Sequence, residues 1–214
     1  MDVSISRIHF PVTTLGPGQR LGIWFQGCSI RCSGCISADT WGTGRRRVLV
    51  SQLIEEIEPW LHSAEGITIS GGEPFDQADA LIELLHSIRS RTSVDILVYS
   101  GYPLEELRET LDRADGLIDA LISDPYEEHQ IQSLALRGSD NQRLSTLTER
   151  GAMRFASFER KLGPSDMALD LMVDGDGSVW MAGIPRRGDL IRLRELLEEN
   201  GHSVQISAQT SRHR

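Results

Sequence analysis

Residues 50–122 switch repeatedly between a helical and an extended hydrophobic period, and this alternation limits the chain to a small set of folds. Over residues 50–61 the apolar positions Leu53, Ile54, Ile57, Trp60 and Leu61 fall at helical spacing, with Glu55, Glu56 and Glu58 on the outer side. A β-branched run at 66–70 breaks at Gly71-Gly72, and Leu81, Leu84, Leu85 and Ile88 mark a second helix. The cycle continues with a strand at 94–99, a helix opened by Pro103 and running to 113, and a strand at 117–122. Strands alternating with helices of about 10–15 residues pair in parallel through crossovers. The chain is therefore expected to be α/β, with its chemistry at the C-terminal ends of strands, where Gly27, Gly71 and Gly101 stand.

Two earlier strands, at 5–10 and 21–25, precede this cycle, and the second runs into a cysteine-rich loop. After Arg137 a polar stretch reads as loop and short elements. Extended runs at 169–173 and 178–181 then flank Asp174-Gly175-Asp176-Gly177, a hairpin signature. A helix at 190–199 stops at Asn200-Gly201, and a last strand occupies 203–206. The expected organisation is a core domain over 1–150 and a small α+β extension over 151–214. With 39% hydrophobic residues among 214, the composition supplies the apolar surface such a core needs.

The formal charge of -9 disfavours attraction to phosphate backbones, so nucleic acid is not an expected partner. The short basic runs Arg45-Arg46-Arg47 and Arg186-Arg187 read as solvated loops. No apolar stretch approaches the ~20 residues that cross a bilayer. The first residues lack the layout of a secretory signal. A cytoplasmic protein with no membrane partner is expected.

All three cysteines lie within eight residues, as Cys28-x3-Cys32-x2-Cys35, and none remains elsewhere to pair with them. A secreted disulfide framework is excluded. Gly27 and Gly34 let the backbone wrap closely around a bulky ligand, so the spacing favours one shared site. An iron-sulfur cube held by three thiolates keeps one iron open to chemistry. A structural zinc would need a fourth ligand, and the six scattered histidines show no ligand spacing. A redox pair, Cys32-x2-Cys35, would leave the third thiol without a role.

Four segments carry a resemblance. They are Gly16-Pro17-Gly18-Gln19-Arg20 leading into Phe25-Gln26-Gly27-Cys28; Cys32-Ser33-Gly34-Cys35 followed by Thr40-Trp41; Ser70-Gly71-Gly72-Glu73-Pro74; and Gly138-Ser139-Asp140-Asn141-Gln142-Arg143. In this order the chain resembles the radical S-adenosylmethionine superfamily, and within it the activating proteins of anaerobic, class III ribonucleotide reductase, which belong to the glycyl-radical-enzyme activating family. The resemblance implies a partial (β/α) barrel and a 4Fe-4S cluster on Cys28, Cys32 and Cys35, whose open iron chelates S-adenosylmethionine. It implies that Gly71, Gly72 and Glu73 meet the methionine amino group and that Ser100 approaches the same cofactor. It further implies an electron donor such as flavodoxin and, as partner, a glycyl-radical enzyme such as the anaerobic reductase. Asp124-Pro125 and Asn141-Gln142-Arg143 either line the site's mouth, face that partner or serve as plain loop residues.

Two other functions compete. In the first, the radical chemistry acts on a different peptide or a small molecule, with the extension recognising it. Alternatively the cluster belongs to a noncatalytic binding module, in which a carboxylate such as Glu73 gains nothing from standing ready for an ammonium.

Overall fold

The structure, a computed structural model, describes residues 1–43, 46–167, 169–173, 179–186 and 188–203. A seven-stranded sheet forms its centre, in the order β3-β1-β2-β4-β5-β6-β7. These strands are β1 (Asp2–Val12), β2 (Arg20–Phe25), β3 (Arg47–Leu49), β4 (Gly66–Gly71), β5 (Asp95–Tyr99), β6 (Ala120–Ser123) and β7 (Arg143–Thr146). Strands β2, β4, β5 and β6 are parallel neighbours, as the alternating pattern predicts. The α/β class holds, but the sheet is mixed, because β1 runs antiparallel to β2 and β3, and β7 antiparallel to β6.

The crossovers are α1 (Val50–Leu61), α2 (Ala78–Arg89) and the short α3 (Arg108–Arg113). Helix α1 buries Val50, Leu53, Ile54, Ile57 and Leu61, and α2 buries Ala80, Leu81, Leu84, Leu85 and Ile88. They cover Leu21, Ile23, Phe25, Ile67, Ile69, Ile96 and Val98, the alternate residues of β2, β4 and β5. Each such Leu or Ile contributes about 1.5–3 kcal/mol by leaving water. Helix α3 is shorter than the predicted 103–113. Glu106 N–H reaches the Pro103 carbonyl and Leu107 N–H that of Leu104, so the first residues form tight turns rather than α-helix.

The opposite sheet face carries two further clusters. Helix α4 (Glu149–Phe155) sets Phe155 against Leu97, Ala120 and Ile122. Strands β8 (Leu169–Val173) and β9 (Val179–Gly183) pair antiparallel as expected; residues 174–178, which hold the Asp174-Gly175-Asp176-Gly177 signature, lie outside the described residues. Met172 and Ala182 pack with Val12 and Leu15, and Trp180 meets Trp24 edge to face at 5.2 Å. Asp170 clamps this hairpin to the sheet by accepting from the N–H and hydroxyl of both Thr13 and Thr14. Helix α5 (Asp189–Glu199) ends before Gly201 in the left-handed region, φ 85°, as its sequence predicts. Of the strand expected at 203–206, all but Ser203 lies outside the described residues, as do Arg45 and Arg187 of the basic runs.

At the N-terminal ends of the parallel strands, the fully buried Arg20 spans β2, β4 and β5. It pairs with Asp95 at 2.7 Å and donates to Thr68 Oγ1 at 2.6 Å and to the Ile67 carbonyl at 2.7 Å. Arg154 from α4 reaches the other Asp95 oxygen at 2.9 Å. Removing one partner of a buried pair leaves the other charge uncompensated. Arg20→Ala is thus expected to cost about 3–5 kcal/mol in urea unfolding. Far from the cysteine loop, it should leave any chemistry there intact in the molecules that stay folded.

Candidate active site

Three neighbouring strands deliver three loops to one place. Strand β2 ends at Phe25, level with Gly71 of β4, and leads to Gly27 and Cys28; β4 leads to Gly72 and Glu73; β5 leads to Ser100 and Gly101. Gly72 N–H donates to the Phe25 carbonyl at 2.9 Å and Glu73 N–H to the Gly27 carbonyl at 2.8 Å. A side chain at Gly72 would collide with that Gly27 carbonyl, and Gly71 has φ 104°, so this approach of the two loops requires both glycines.

Cys28, Cys32 and Cys35 are all partly exposed and free of disulfides. A tight turn closes the loop through Cys35 N–H to the Cys32 carbonyl at 3.2 Å, and Gly34, at φ 73°, leaves room for the Glu128 side chain. Burial raises the pKa of all three thiols, that of Cys35 to about 11. Such thiols stay protonated at neutral pH until a metal competes for the sulfur. Among the described residues no three His, Cys, Asp or Glu side chains are gathered closely enough for a single metal ion. On an iron-sulfur cube each thiolate binds a different iron, so its ligands stand wider apart than those of one ion, and the three-thiol loop fits that group.

The Glu73 carboxylate is buried at the end of β4. Its Oε1 accepts from Phe75 N–H at 3.0 Å and Ser100 Oγ at 2.9 Å, and its Oε2 from Gly101 N–H at 2.8 Å. Burial outweighs these donors and lifts its pKa to about 7. Ser100 is spent on Glu73 and on accepting from Tyr102 N–H, so its visible work is to aim that carboxylate.

Asp76 does more than its sequence position announces. It stands in the short turn after Glu73 and accepts from Ser29 N–H at 2.7 Å, Ser29 Oγ at 2.9 Å and the Tyr102 hydroxyl at 2.8 Å. It thereby pins the residue after Cys28 to the loops after β4 and β5. Its partners are distant in sequence, so no local pattern betrays it. We expect Asp76→Ala to lower the iron and sulfide retained after anaerobic desalting several-fold while moving urea stability by less than about 1 kcal/mol, since this cluster of polar groups is exposed.

The segment Gly138-Ser139-Asp140-Asn141-Gln142-Arg143 is tied to Asp124-Pro125. Asn141 donates to the Pro125 carbonyl at 2.7 Å, Gln142 to that of Asp124 at 3.1 Å, and Arg143 grips both Asp124 and Glu105. These residues hold a loop in shape. A separate cavity of about 70 Å³, lined by Thr13, Thr14, Gly16, Leu136, Arg137 and Phe158, includes none of the predicted site residues.

Residues 14–145 match the family described as a 4Fe-4S single cluster domain. An anaerobic ribonucleoside-triphosphate reductase-activating protein of Escherichia coli K12 is 30% identical, across 63% of this chain and 93% of its own. The chain belongs to the radical S-adenosylmethionine family of glycyl-radical-enzyme activating proteins. Other relatives agree. The phage T4 protein of the same name is 28% identical over 63% of this chain and 88% of its own, and a pyruvate formate-lyase-activating enzyme of Listeria monocytogenes is 34% identical over 66% and 61%. Membership in this family of activating proteins makes the chain an enzyme whose cofactors are a 4Fe-4S cluster and S-adenosylmethionine. Among the described residues no helix is long and apolar enough to cross a membrane.

Proposed function

We propose that this radical S-adenosylmethionine enzyme activates a glycyl-radical enzyme of the anaerobic ribonucleotide reductase kind, with Cys28, Cys32 and Cys35 holding the cluster. The observation that carries this reading is the junction of two loops: the three-thiol loop after β2 lies against a buried carboxylate at the end of β4, joined by the 2.8 Å bond from Glu73 N–H to the Gly27 carbonyl. When bound, the cluster supplies one electron that splits a carbon–sulfur bond of S-adenosylmethionine, giving methionine and a 5'-deoxyadenosyl radical that takes a hydrogen atom from the substrate.

The chain's own residues bind and orient. Gly71 and Gly72 let the methionine end approach the backbone, and Glu73 receives its ammonium. Ser100 serves the cofactor through Glu73, whose carboxylate it fixes. The electron donor is a flavodoxin or a similar reduced carrier, and the enzyme works in the cytoplasm. The core, over residues 1–150, is a partial (β/α) barrel; four parallel strands with helices on one face and the site at their C-terminal ends support it. The extension over 151–214 is a small α+β unit built around β8, β9 and α5; β8 and β9 pair as a sheet of their own and, like α4 at the start of the extension, pack on the core sheet.

One observation favours a second reading of the substrate. The family match ends at residue 145, and β8 and β9 cover the sheet face away from α1 and α2. An added element there suits recognition of a different peptide or a small molecule. The test is anaerobic cluster reconstitution, reduction with S-adenosylmethionine, and chromatography for 5'-deoxyadenosine. Its release, followed by a glycine-centred radical signal on a co-purifying glycyl-radical enzyme, is the expected result. Release with no radical on such an enzyme would favour the second reading, and a reduced cluster that neither cleaves nor senses the cofactor would overturn the radical reaction.

A further inference from the structure

The fourth parallel strand, β6, also delivers a loop to this end of the sheet. Its first residue joins the β5 loop, since Asp124 N–H donates to the Tyr102 carbonyl at 3.0 Å. The chain then meets the cysteine loop, where the Glu128 carboxylate accepts from Ser33 Oγ at 3.0 Å. A side chain at the neighbouring Gly34 would come to 2.8 Å from the Glu128 carboxyl carbon, so the glycine permits this approach. In the order β2-β4-β5-β6, with neighbouring strands about 4.8 Å apart, β2 and β6 are separated by about 14 Å along the sheet. The cysteine loop and the β6 loop together cover that distance.

The segment Gly138–Arg143 grips the β6 loop on both sides of Glu128. Before it, Asn141 and Gln142 hold the Pro125 and Asp124 carbonyls, and Ser139 Oγ accepts from Glu127 N–H at 3.1 Å. After it, Asp140 N–H donates to the Ile131 carbonyl at 2.8 Å. Four junctions thus link four loops in a circle. The β2 and β4 loops meet at Gly27 and Glu73, the β4 and β5 loops at Glu73 with Gly101 and Asp76 with Tyr102, and the β5 and β6 loops at Tyr102 and Asp124. The bond from Ser33 to Glu128 returns the circle to the β2 loop.

We infer that Glu128 is a positioning residue that closes this ring: by latching the β6 loop to the turn between Cys32 and Cys35, it fixes those two thiols and completes a wall around the site. This inference rests on the cysteine loop being the cluster site, as proposed above. A closed wall keeps solvent and stray reactants from an active site and so suppresses side reactions, which a radical enzyme has particular need to avoid. The Gly138–Arg143 segment, remote from the cysteines in sequence, then serves the site by holding Glu128 in reach of Ser33.

Glu128→Ala, Ser33→Ala and the double variant remove the latch; Glu128→Gln keeps an acceptor for Ser33, and Glu127→Ala removes the neighbouring carboxylate as a control. The full chain is treated anaerobically with N-ethylmaleimide, before and after cluster reconstitution, and the alkylation rate of each cysteine is read by peptide mass spectrometry. Before reconstitution, Cys32 and Cys35 should react roughly two- to tenfold faster in Glu128→Ala, the range that one hydrogen bond commands. Ser33→Ala and the double variant should match it, because two partners of one bond do not add. Cys28, whose neighbour Ser29 is held by Asp76, should change less, and Glu128→Gln and Glu127→Ala should stay near the wild type. After reconstitution, a ferrous chelator should draw iron faster from the latch variants than from the wild type. Wild-type alkylation rates in Glu128→Ala, or a double variant whose rate multiplies the two single effects, would overturn the inference. Should either single variant fail to fold, the other decides alone. Wild-type cysteines that stay as reactive after reconstitution as before would instead defeat the cluster reading beneath it.

Discussion

Replacing any one of Cys28, Cys32 and Cys35 with Ala is expected to leave a folded protein that retains little iron or sulfide and releases no 5'-deoxyadenosine above background. The fold should survive because the cysteines are partly exposed in a loop and join none of the hydrophobic clusters, so each truncation should move urea stability by less than about 1 kcal/mol. The cluster should not survive. With only three thiolates in the sequence, each loss leaves two, and a cube with two uncovered irons is exposed to solvent and oxidant. Iron and sulfide analysis after reconstitution separates this outcome from a catalytic defect. A variant that still holds four irons per chain would remove that cysteine from the ligand set.

The same loop shows how much of the fold and site the residues announce in advance. Helices α1 and α2 and strands β2, β4 and β5 are legible because each buries one regular face: Leu53, Ile54, Ile57 and Leu61 along a helix, Ile67 and Ile69 along a strand. Strands β3 and β7 are not, since three and four residues at a sheet edge acquire their conformation from the neighbour they pair with. Helix α4 is hidden by Gly151, which lowers helix propensity. Its own packing explains the glycine, because a side chain there would collide with the Asp119 carbonyl.

In the site, the residues grouped within a few positions were readable: the cysteine triplet and Gly71-Gly72-Glu73. What joins them was not. Asp76 depends on Ser29 and Tyr102, and the aim of Glu73 depends on Ser100 and Gly101, from loops that become neighbours only through the parallel order β2-β4-β5. The chemistry-bearing side chains are local in sequence, while their orientation is a property of the sheet.

Glu73→Gln tests that orientation, and its effect should be large. The substitution keeps the size of the side chain but removes the charge that meets the cofactor ammonium, and it turns an NH2 toward Gly101 N–H, where Oε2 now accepts. A hydrogen bond to a charged group is worth about 1.5–3 kcal/mol. The Kd for S-adenosylmethionine, read from the shift of the reduced cluster's resonance, should therefore rise roughly 10- to 150-fold. Cluster content should not change, and 5'-deoxyadenosine release should fall further than affinity alone explains, because the sulfonium is no longer held in place. The pH dependence follows from the raised pKa of about 7. Below it the carboxyl is increasingly neutral, so wild-type affinity should weaken by about tenfold per pH unit on the acid side, while the Gln variant stays flat between pH 6 and 8. Stability in the absence of cofactor should run the other way. The folded carboxyl binds its proton more tightly than at its ordinary value of 4.5, so this contribution is full below 4.5 and is lost as pH rises to about 7. The wild type should accordingly lose stability relative to the Gln variant across that window. Unchanged cofactor affinity and release in Glu73→Gln would remove this carboxylate from the site and leave the approach of the β2 and β4 loops with a purely structural role.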